Sequence, residues 1–95
     1  MQWQGQPQPE ERQTQGRRKT ADGRTILHYV RAAWDFKGEY QDELDFKAGD
    51  IIAVTDTSDK DWWSGELLEA SKRVPGKHLF PCNYTEPVQN RYEFE

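Results

Sequence analysis

The middle of the chain alternates between apolar and polar positions. From residue 29 to residue 36, apolar side chains recur at every second position, namely at Val30, Ala32, Trp34 and Phe36. This is the period of a β-strand with one buried face. Leu44 and Phe46 repeat the spacing. No segment keeps the spacing of an amphipathic helix over three turns, so the pattern predicts an all-β protein.

Turn residues divide the rest of the pattern into short strands. Gly49, in the turn at residues 47–50, is free to take a positive φ angle, and a β-branched run follows at residues 51–55. Further strands are predicted at residues 62–68, 78–80 and 84–88. Short strands separated by turns are typical of a small antiparallel barrel or sandwich.

The apolar strand positions predict the hydrophobic core. We expect it to contain Val30, Ala32, Leu44, Phe46, Ile52, Val54 and Phe80. Trp62 and Trp63 are consecutive, so strand alternation points them to opposite faces. We expect Trp63 to cover the exterior of the sheet.

Charge and composition divide the 95-residue chain, which carries a net charge of −4, into three parts. Residues 1–25 contain three apolar residues, with five basic and three acidic groups, and predict a disordered basic, Gln-rich linker. Residues 26–88 hold nine of the twelve aromatic residues, with seven basic and twelve acidic groups, a net charge of −5. Residues 89–95 predict a C-terminal tail. The foldable unit is therefore residues 26–88.

Neither a disulfide nor a metal is predicted to hold this small unit together. Cys82 is the single cysteine, and His28 and His78 lack the spacing of a zinc site. We expect no cofactor, and stability from aromatic packing. The lone cysteine and the absence of a signal-like N-terminal pattern favour the cytoplasm. No apolar run approaches the roughly 20 residues of a membrane span.

Five short motifs, in order along the chain, resemble those of the SH3 domain. They are residues 32–36 (AAWDF), 42–46 (DELDF), 49–50 (GD), 61–63 (DWW) and 80–84 (FPCNY). The resemblance implies a five-stranded, partly open barrel of two orthogonally packed antiparallel sheets. It also implies a shallow aromatic groove that binds proline-rich peptides, which arrive already extended as a polyproline II helix.

Two proline pockets follow from the resemblance. Trp34 and Tyr84 wall the first pocket. The second is walled by Phe36, Trp62, Pro81 and Tyr84. Asn83, Tyr84 and Trp62 carry donors for peptide carbonyls. Trp34 stands where the family motif has a tyrosine, and the connection at residues 68–77 is longer than the commonest form.

An acidic segment lies next to these aromatic positions. Residues 39–45 contain four carboxylates and no basic residue. The resemblance implies that Glu39, Asp42 and Glu43 form a specificity pocket beside Trp62. There a ligand Arg or Lys finds carboxylates for a salt bridge and an indole for cation–π stacking. We expect the nearby residues 59 and 61, both aspartates, to extend the acidic region.

Other function classes fit the sequence less well. A nucleic-acid-binding barrel needs a basic stripe, and residues 26–88 are net acidic. An enzyme needs a paired nucleophile and base or a metal cluster, which we do not find, so no catalytic residue is assigned. We expect a monomeric binding module of a signalling, cytoskeletal or endocytic adaptor. A partner without proline, either a folded domain or a basic helix held by the acidic segment, stays open as an alternative.

Overall fold

A computed structural model describes residues 18–88. It contains five β-strands, β1 (His28–Ala32), β2 (Ile51–Asp56), β3 (Trp62–Leu67), β4 (Leu79–Pro81) and β5 (Thr85–Pro87). Two short 3-10 turns, η1 (Ala70–Lys72) and η2 (Cys82–Tyr84), lie between strands. The described part of the chain contains no α-helix, and the all-β prediction is confirmed.

All neighbouring strands are antiparallel and follow the order β4-β3-β2-β1-β5. Strand β1 pairs with β2 on one side and with β5 on the other, so both ends of the domain meet there. The two layers implied by the resemblance are thus continuous parts of one curled sheet. An added Cβ at Gly65 would lie 2.5 Å from the Ala53 carbonyl oxygen, so β2 and β3 approach closely at this position.

The hydrophobic core contains all seven residues that the alternation predicts. Their exposed fractions lie between 0% and 4%. Leu67 joins this cluster, and Ala53 is also buried. Because the members come from β1 to β4 and from the chain between β1 and β2, the curled sheet closes around a single core.

Strand β1 is shorter than the run of alternating apolar residues, 29–36, that predicted it. Strand β1 stops at Ala32, and the Ala33 N–H donates to the Tyr84 carbonyl at 2.8 Å. Phe36 then pairs with Phe46 in an isolated antiparallel bridge, with hydrogen bonds of 2.8 and 2.9 Å. The bend interrupts the period of two, because Trp34 is exposed, whereas Phe36 and Phe46 pack on the core. Residues 37–45 form the loop between them, here called the acidic loop.

The turn at residues 47–50 is confirmed. Gly49 has a φ of +95°, in the region that favours glycine. Its N–H donates to the Ala32 carbonyl at 2.8 Å, and the Ala32 N–H donates to the Asp50 carbonyl at 2.8 Å. The turn therefore fixes the end of β1 against the start of β2.

Residues 18–25, assigned from the sequence to the linker, form a small hairpin. Lys19 and Thr25 pair in an antiparallel bridge, and Gly23 turns the chain with a φ of +91°. Thr20 is 6% exposed, and its Oγ1 accepts the Arg24 N–H at 3.1 Å. Backbone hydrogen bonds, such as that from the Thr20 N–H to the Arg24 carbonyl at 2.8 Å, also hold this turn, and a count of apolar residues does not detect them. Residues 1–17 and 89–95 lie outside the described residues.

Trp63 corrects one expectation. Its ring centroid lies 6.4 Å from that of Phe80 and 5.6 Å from that of His28. Trp63 takes the opposite face from Trp62, but this is the face of β3 that carries the buried Leu67. It therefore packs against the core instead of covering the exterior.

Candidate functional site

Three aromatic rings form a continuous row on one side of the barrel. The Phe36 ring lies 5.4 Å from Tyr84 and 6.2 Å from Trp62, both in edge-to-face geometry. Phe36 is half-buried against the core, whereas Tyr84 is 36% and Trp62 38% exposed. The row therefore has a fixed centre and two exposed flanks, which is the shape of a shallow groove.

Trp34 lies at the Tyr84 end of this row and is 65% exposed. The hydrogen bond from the Ala33 N–H to the Tyr84 carbonyl brings the two chain segments together. Tyr84 ends the 3-10 turn η2, in which Asn83 is also exposed. The structure thus brings together the rings of Phe36, Trp62 and Tyr84, and places the backbone next to Trp34 and Asn83 beside Tyr84.

Pro81 occupies a different position from the other predicted groove residues. It is buried, and it pairs with Trp62 across β3 and β4. A buried proline offers little surface to a ligand. We expect Pro81 to support Trp62 from the neighbouring strand.

The start of β3 is held by the loop that precedes it. The Asp59 carboxylate accepts the N–H of Trp62 at 2.9 Å and that of Asp61 at 3.0 Å. These hydrogen bonds lower the pKa of Asp59 below its ordinary value, and the bond from the Trp62 N–H has the largest effect. The Cys82 N–H also donates to the Asp61 carbonyl at 3.0 Å, so the same loop holds η2. Asp59 thus fixes the backbone of Trp62.

Two carboxylates close the acidic loop from inside. Asp45 Oδ1 accepts the Gly38 N–H at 2.8 Å, and Glu43 Oε1 accepts the Glu39 N–H at 2.8 Å. Glu43 is only 8% exposed. The loop is tight here, since a Cβ on Gly38 would lie 2.6 Å from the Glu43 Cβ. One oxygen of the predicted ligand carboxylate Glu43 is therefore bonded to the loop backbone.

An open cleft lies between the acidic loop and the aromatic row. Its lining contains Glu39, Tyr40, Gln41, Asp42, Glu43, Trp62 and Leu79. Glu39 and Asp42 are exposed and bring carboxylates to the cleft beside the Trp62 indole. We call this feature the acidic cleft.

Tyr40 and Leu79 line the cleft but were not among the predicted site residues. Tyr40 is 68% exposed at the turn of the acidic loop. Leu79 reaches the cleft because its N–H donates to the Asp42 carbonyl and its carbonyl accepts the Leu44 N–H. The sequence signal for Tyr40 was an aromatic residue within the acidic segment. Leu79 is brought to the cleft by pairing between segments that are distant in the sequence.

The described residues contain no group of three or more His, Cys, Asp and Glu side chains arranged to hold a metal ion. Between residues 18 and 88, no helix has the length and apolar character needed to cross a membrane.

Comparison with known proteins agrees with this geometry. A family model described as SH3 domain matches residues 31–73. The solved SH3 domain of the yeast actin binding protein Abp1 is 33% identical to this chain, with a TM-score of 0.52. The match covers 65% of this chain and 98% of that one. The chain belongs to the SH3 domain family.

Other SH3 domains show similar agreement, and the family consists of protein-interaction modules. The Acanthamoeba myosin I SH3 domain, solved bound to Acan125, is 34% identical with a TM-score of 0.51, covering 64% of this chain and 95% of that one. The class E vacuolar protein-sorting machinery protein HSE1 of Kluyveromyces lactis is 42% identical over 64 residues. That match covers 67% of this chain and 11% of the relative. The similarity thus concerns one domain of a longer relative.

Human SH3 domain-containing protein 19 gives the same result at higher identity. It is 48% identical over 60 residues, which cover 63% of this chain and 7% of that protein. The SH3 domain therefore accounts for a small part of the curated relatives that it matches. What those whole proteins do is not carried over by this similarity.

Proposed function

We propose that residues 26–88 form an SH3 domain that binds proline-rich peptides with a flanking Arg or Lys. In this proposal the chain serves as a monomeric module of a cytoplasmic signalling, cytoskeletal or endocytic adaptor or scaffold. The observation that carries the proposal is the row of rings formed by Tyr84, Phe36 and Trp62, with the acidic cleft at its Trp62 end.

The row suits a polyproline II helix for physical reasons. Such a helix has three residues per turn and no internal hydrogen bonds, so it is extended before binding and loses little chain entropy. Its proline rings pack against aromatic faces, while exposed donors meet its free carbonyls. Trp62, Asn83 and Tyr84 are exposed and carry such donors.

The acidic cleft supports selection of a basic residue next to the prolines. Glu39 and Asp42 are exposed beside Trp62. A cation placed there gains both carboxylate attraction and contact with an indole face. Because the groove is shallow and open, we expect micromolar affinity, about −6 to −8 kcal/mol.

Replacement of Trp62 tests the groove. We expect Trp62→Ala to weaken binding of a fluorescein-labelled proline-rich peptide with an Arg flank about tenfold or more, because the indole serves both pocket and cleft. Fluorescence anisotropy measures the affinity, and circular dichroism checks that the fold is retained. Val74→Ala is the control, since Val74 is 50% exposed in the connection after β3 and does not line the acidic cleft.

Two results would contradict the proposal. Unchanged affinity of a folded Trp62→Ala protein would remove the groove assignment. Equal binding of a basic helical peptide without proline would instead favour recognition by the acidic cleft alone, which is the alternative for a partner without proline.

A further inference from the structure

Tyr40 is a large aromatic side chain with little part in the fold. It is 68% exposed at the turn of the acidic loop, the largest exposed fraction among the large hydrophobic residues of the described chain. It lines the acidic cleft together with Trp62. A ring left in water beside a groove gains free energy when a ligand covers it.

The position of Tyr40 is set by its backbone. Glu43 Oε1 accepts the Tyr40 N–H at 3.4 Å, and the Tyr40 carbonyl accepts the Glu43 N–H at 3.0 Å. Glu43 is buried and is anchored on the core side by Leu44, whose N–H donates to the Leu79 carbonyl at 2.8 Å. The loop turn therefore presents the Tyr40 ring without using it for packing.

The lining of the cleft consequently contains two rings and two exposed carboxylates. Tyr40 and Trp62 supply the rings, and Glu39 and Asp42 supply the charge. A guanidinium group is flat and weakly hydrated and stacks on aromatic faces, whereas an ammonium group is compact and strongly hydrated. Two rings in one cleft thus favour Arg over Lys more than a single indole does.

We propose that Tyr40 is a specificity-determining residue that, with Trp62, stacks the guanidinium of a flanking Arg and makes the acidic cleft prefer Arg to Lys. This inference rests on the proposed binding of proline-rich peptides. It adds Tyr40 to the binding site and adds a preference for Arg over Lys. The aromatic groove alone requires neither.

The test compares three labelled peptides that share one proline-rich core and differ only in the flank, which is Arg, Lys or Ala. Each is titrated against the wild-type chain, Tyr40→Ala and Tyr40→Phe. We expect Tyr40→Ala to weaken the Arg peptide about two- to fivefold, as for a cation–π contact at an exposed site. Its affinity for the Ala-flanked peptide should be unchanged, and its ratio of Arg to Lys affinities should fall towards one.

Tyr40→Phe is the matched control, because it keeps the ring and the backbone hydrogen bonds and removes only the hydroxyl group. It should keep the wild-type preference for Arg. If Tyr40→Ala retains the wild-type ratio of Arg to Lys affinities, or weakens all three peptides equally, the inference is wrong. Loss of the preference in Tyr40→Phe as well would assign the effect to the hydroxyl and overturn the stacking proposal.

The same titrations separate this inference from the proposed function. If the wild-type chain binds none of the three peptides, the proposed function fails. If it binds them, and Trp62→Ala weakens them while Tyr40→Ala changes nothing, only the role of Tyr40 fails.

Discussion

Glu43 carries a carboxylate at the place where the resemblance implies ligand contact, yet the structure gives it backbone partners. It is 8% exposed and accepts the N–H groups of Glu39 and Tyr40. Burial of a carboxylate is costly unless hydrogen bonds replace the lost water. Oε1 of Glu43 thus serves the loop, while the exposed Asp42 keeps its charge available to a ligand.

Substitutions at these two neighbours separate positioning from charge. Glu43→Gln retains an oxygen that accepts the loop N–H groups, so we expect the fold and the preference for Arg-flanked over Ala-flanked peptides to persist. Glu43→Ala leaves two part-buried N–H donors without their carboxylate partner and should destabilise the domain by about 1–3 kcal/mol. Asp42→Asn should keep stability and lower the preference about two- to fivefold.

Peptide titration and urea unfolding, followed by tryptophan fluorescence, measure both effects. If the Asp42→Asn protein kept the full preference for Arg and the Glu43→Gln protein lost it, Glu43 and not Asp42 would be the carboxylate that contacts the ligand.

Three of the predicted groove residues, Phe36, Trp62 and Tyr84, have rings in contact with one another, and Trp34 is exposed; their contact with a peptide stays a prediction. Motif order does not report burial, which depends on how a loop returns to the sheet. Glu43 is buried because its loop folds back over it, and Pro81 because it lies on the strand next to Trp62. Tyr40 was not among the predicted site residues, because its place in the cleft depends on the shape of the loop.

Two segments that the pattern of apolar and polar residues did not predict meet at the Glu66 side chain. The hairpin at residues 18–25 contributes Arg24, whose guanidinium lies 4.0 Å from Glu66. The long connection after β3 contributes Arg73, which lies 3.5 Å from the same carboxylate. Arg73 also donates to the carbonyls of Leu67 at 2.6 Å and Leu68 at 3.0 Å. Arg73 thus closes the long connection on the end of β3.

The two arginines should differ in their effect on stability. Arg73→Ala removes charged hydrogen bonds to partly buried carbonyls and should lower the free energy of unfolding by about 1.5–3 kcal/mol. Arg24→Ala removes two partly exposed ion pairs, to Asp22 at 3.1 Å and to Glu66 at 4.0 Å, and should cost less than about 1 kcal/mol. Urea unfolding of both variants measures the difference. Equal losses would show that the connection is not held by the carbonyl bonds of Arg73.

Strands were the most predictable elements because alternation and turn residues are local signals. The predicted runs at residues 51–55, 62–68 and 78–80 agree with β2, β3 and β4 to within one residue at each end. Strand β1 is shorter than the alternating run because the chain bends after Ala32, which leaves Trp34 exposed and brings Phe36 back to the core. The hairpin and the Arg73 closure depend on hydrogen bonds between side chains and backbone, which hydropathy does not record.

At the scale of the whole molecule, folding shifts the pKa values of several titratable groups in the described residues. The pKa values of Asp22, Asp56 and Asp59 are lowered, chiefly by hydrogen bonds from their turn partners. Burial raises the pKa of Asp50, but hydrogen bonds and the charges of neighbouring lysines outweigh it, and its pKa is also lowered. Burial lowers the pKa of His28.

The signs of these shifts agree and define two pH windows. A lowered aspartate pKa stabilises the fold above the ordinary value of 3.8, and this contribution is lost as the pH falls through the folded pKa. The lowered pKa of His28 means that the unfolded chain takes up protons first below pH 6.5, so stability starts to fall there. We therefore expect the urea midpoint to be highest above pH 6.5, to decline slightly towards pH 5, and to fall steeply below pH 4.

Two substitutions test which residue is responsible for each pH window. His28→Gln should remove the decline between pH 6.5 and pH 5, and Asp50→Asn should make the fall below pH 4 shallower while lowering the midpoint at pH 7. The second effect follows because Asp50 accepts a hydrogen bond from Lys72 at 2.8 Å, which joins the turn at residues 47–50 to the long connection. A urea midpoint that rises as the pH falls from 6.5 to 3 would contradict both assignments, since it requires the folded chain to bind protons more tightly than the unfolded one.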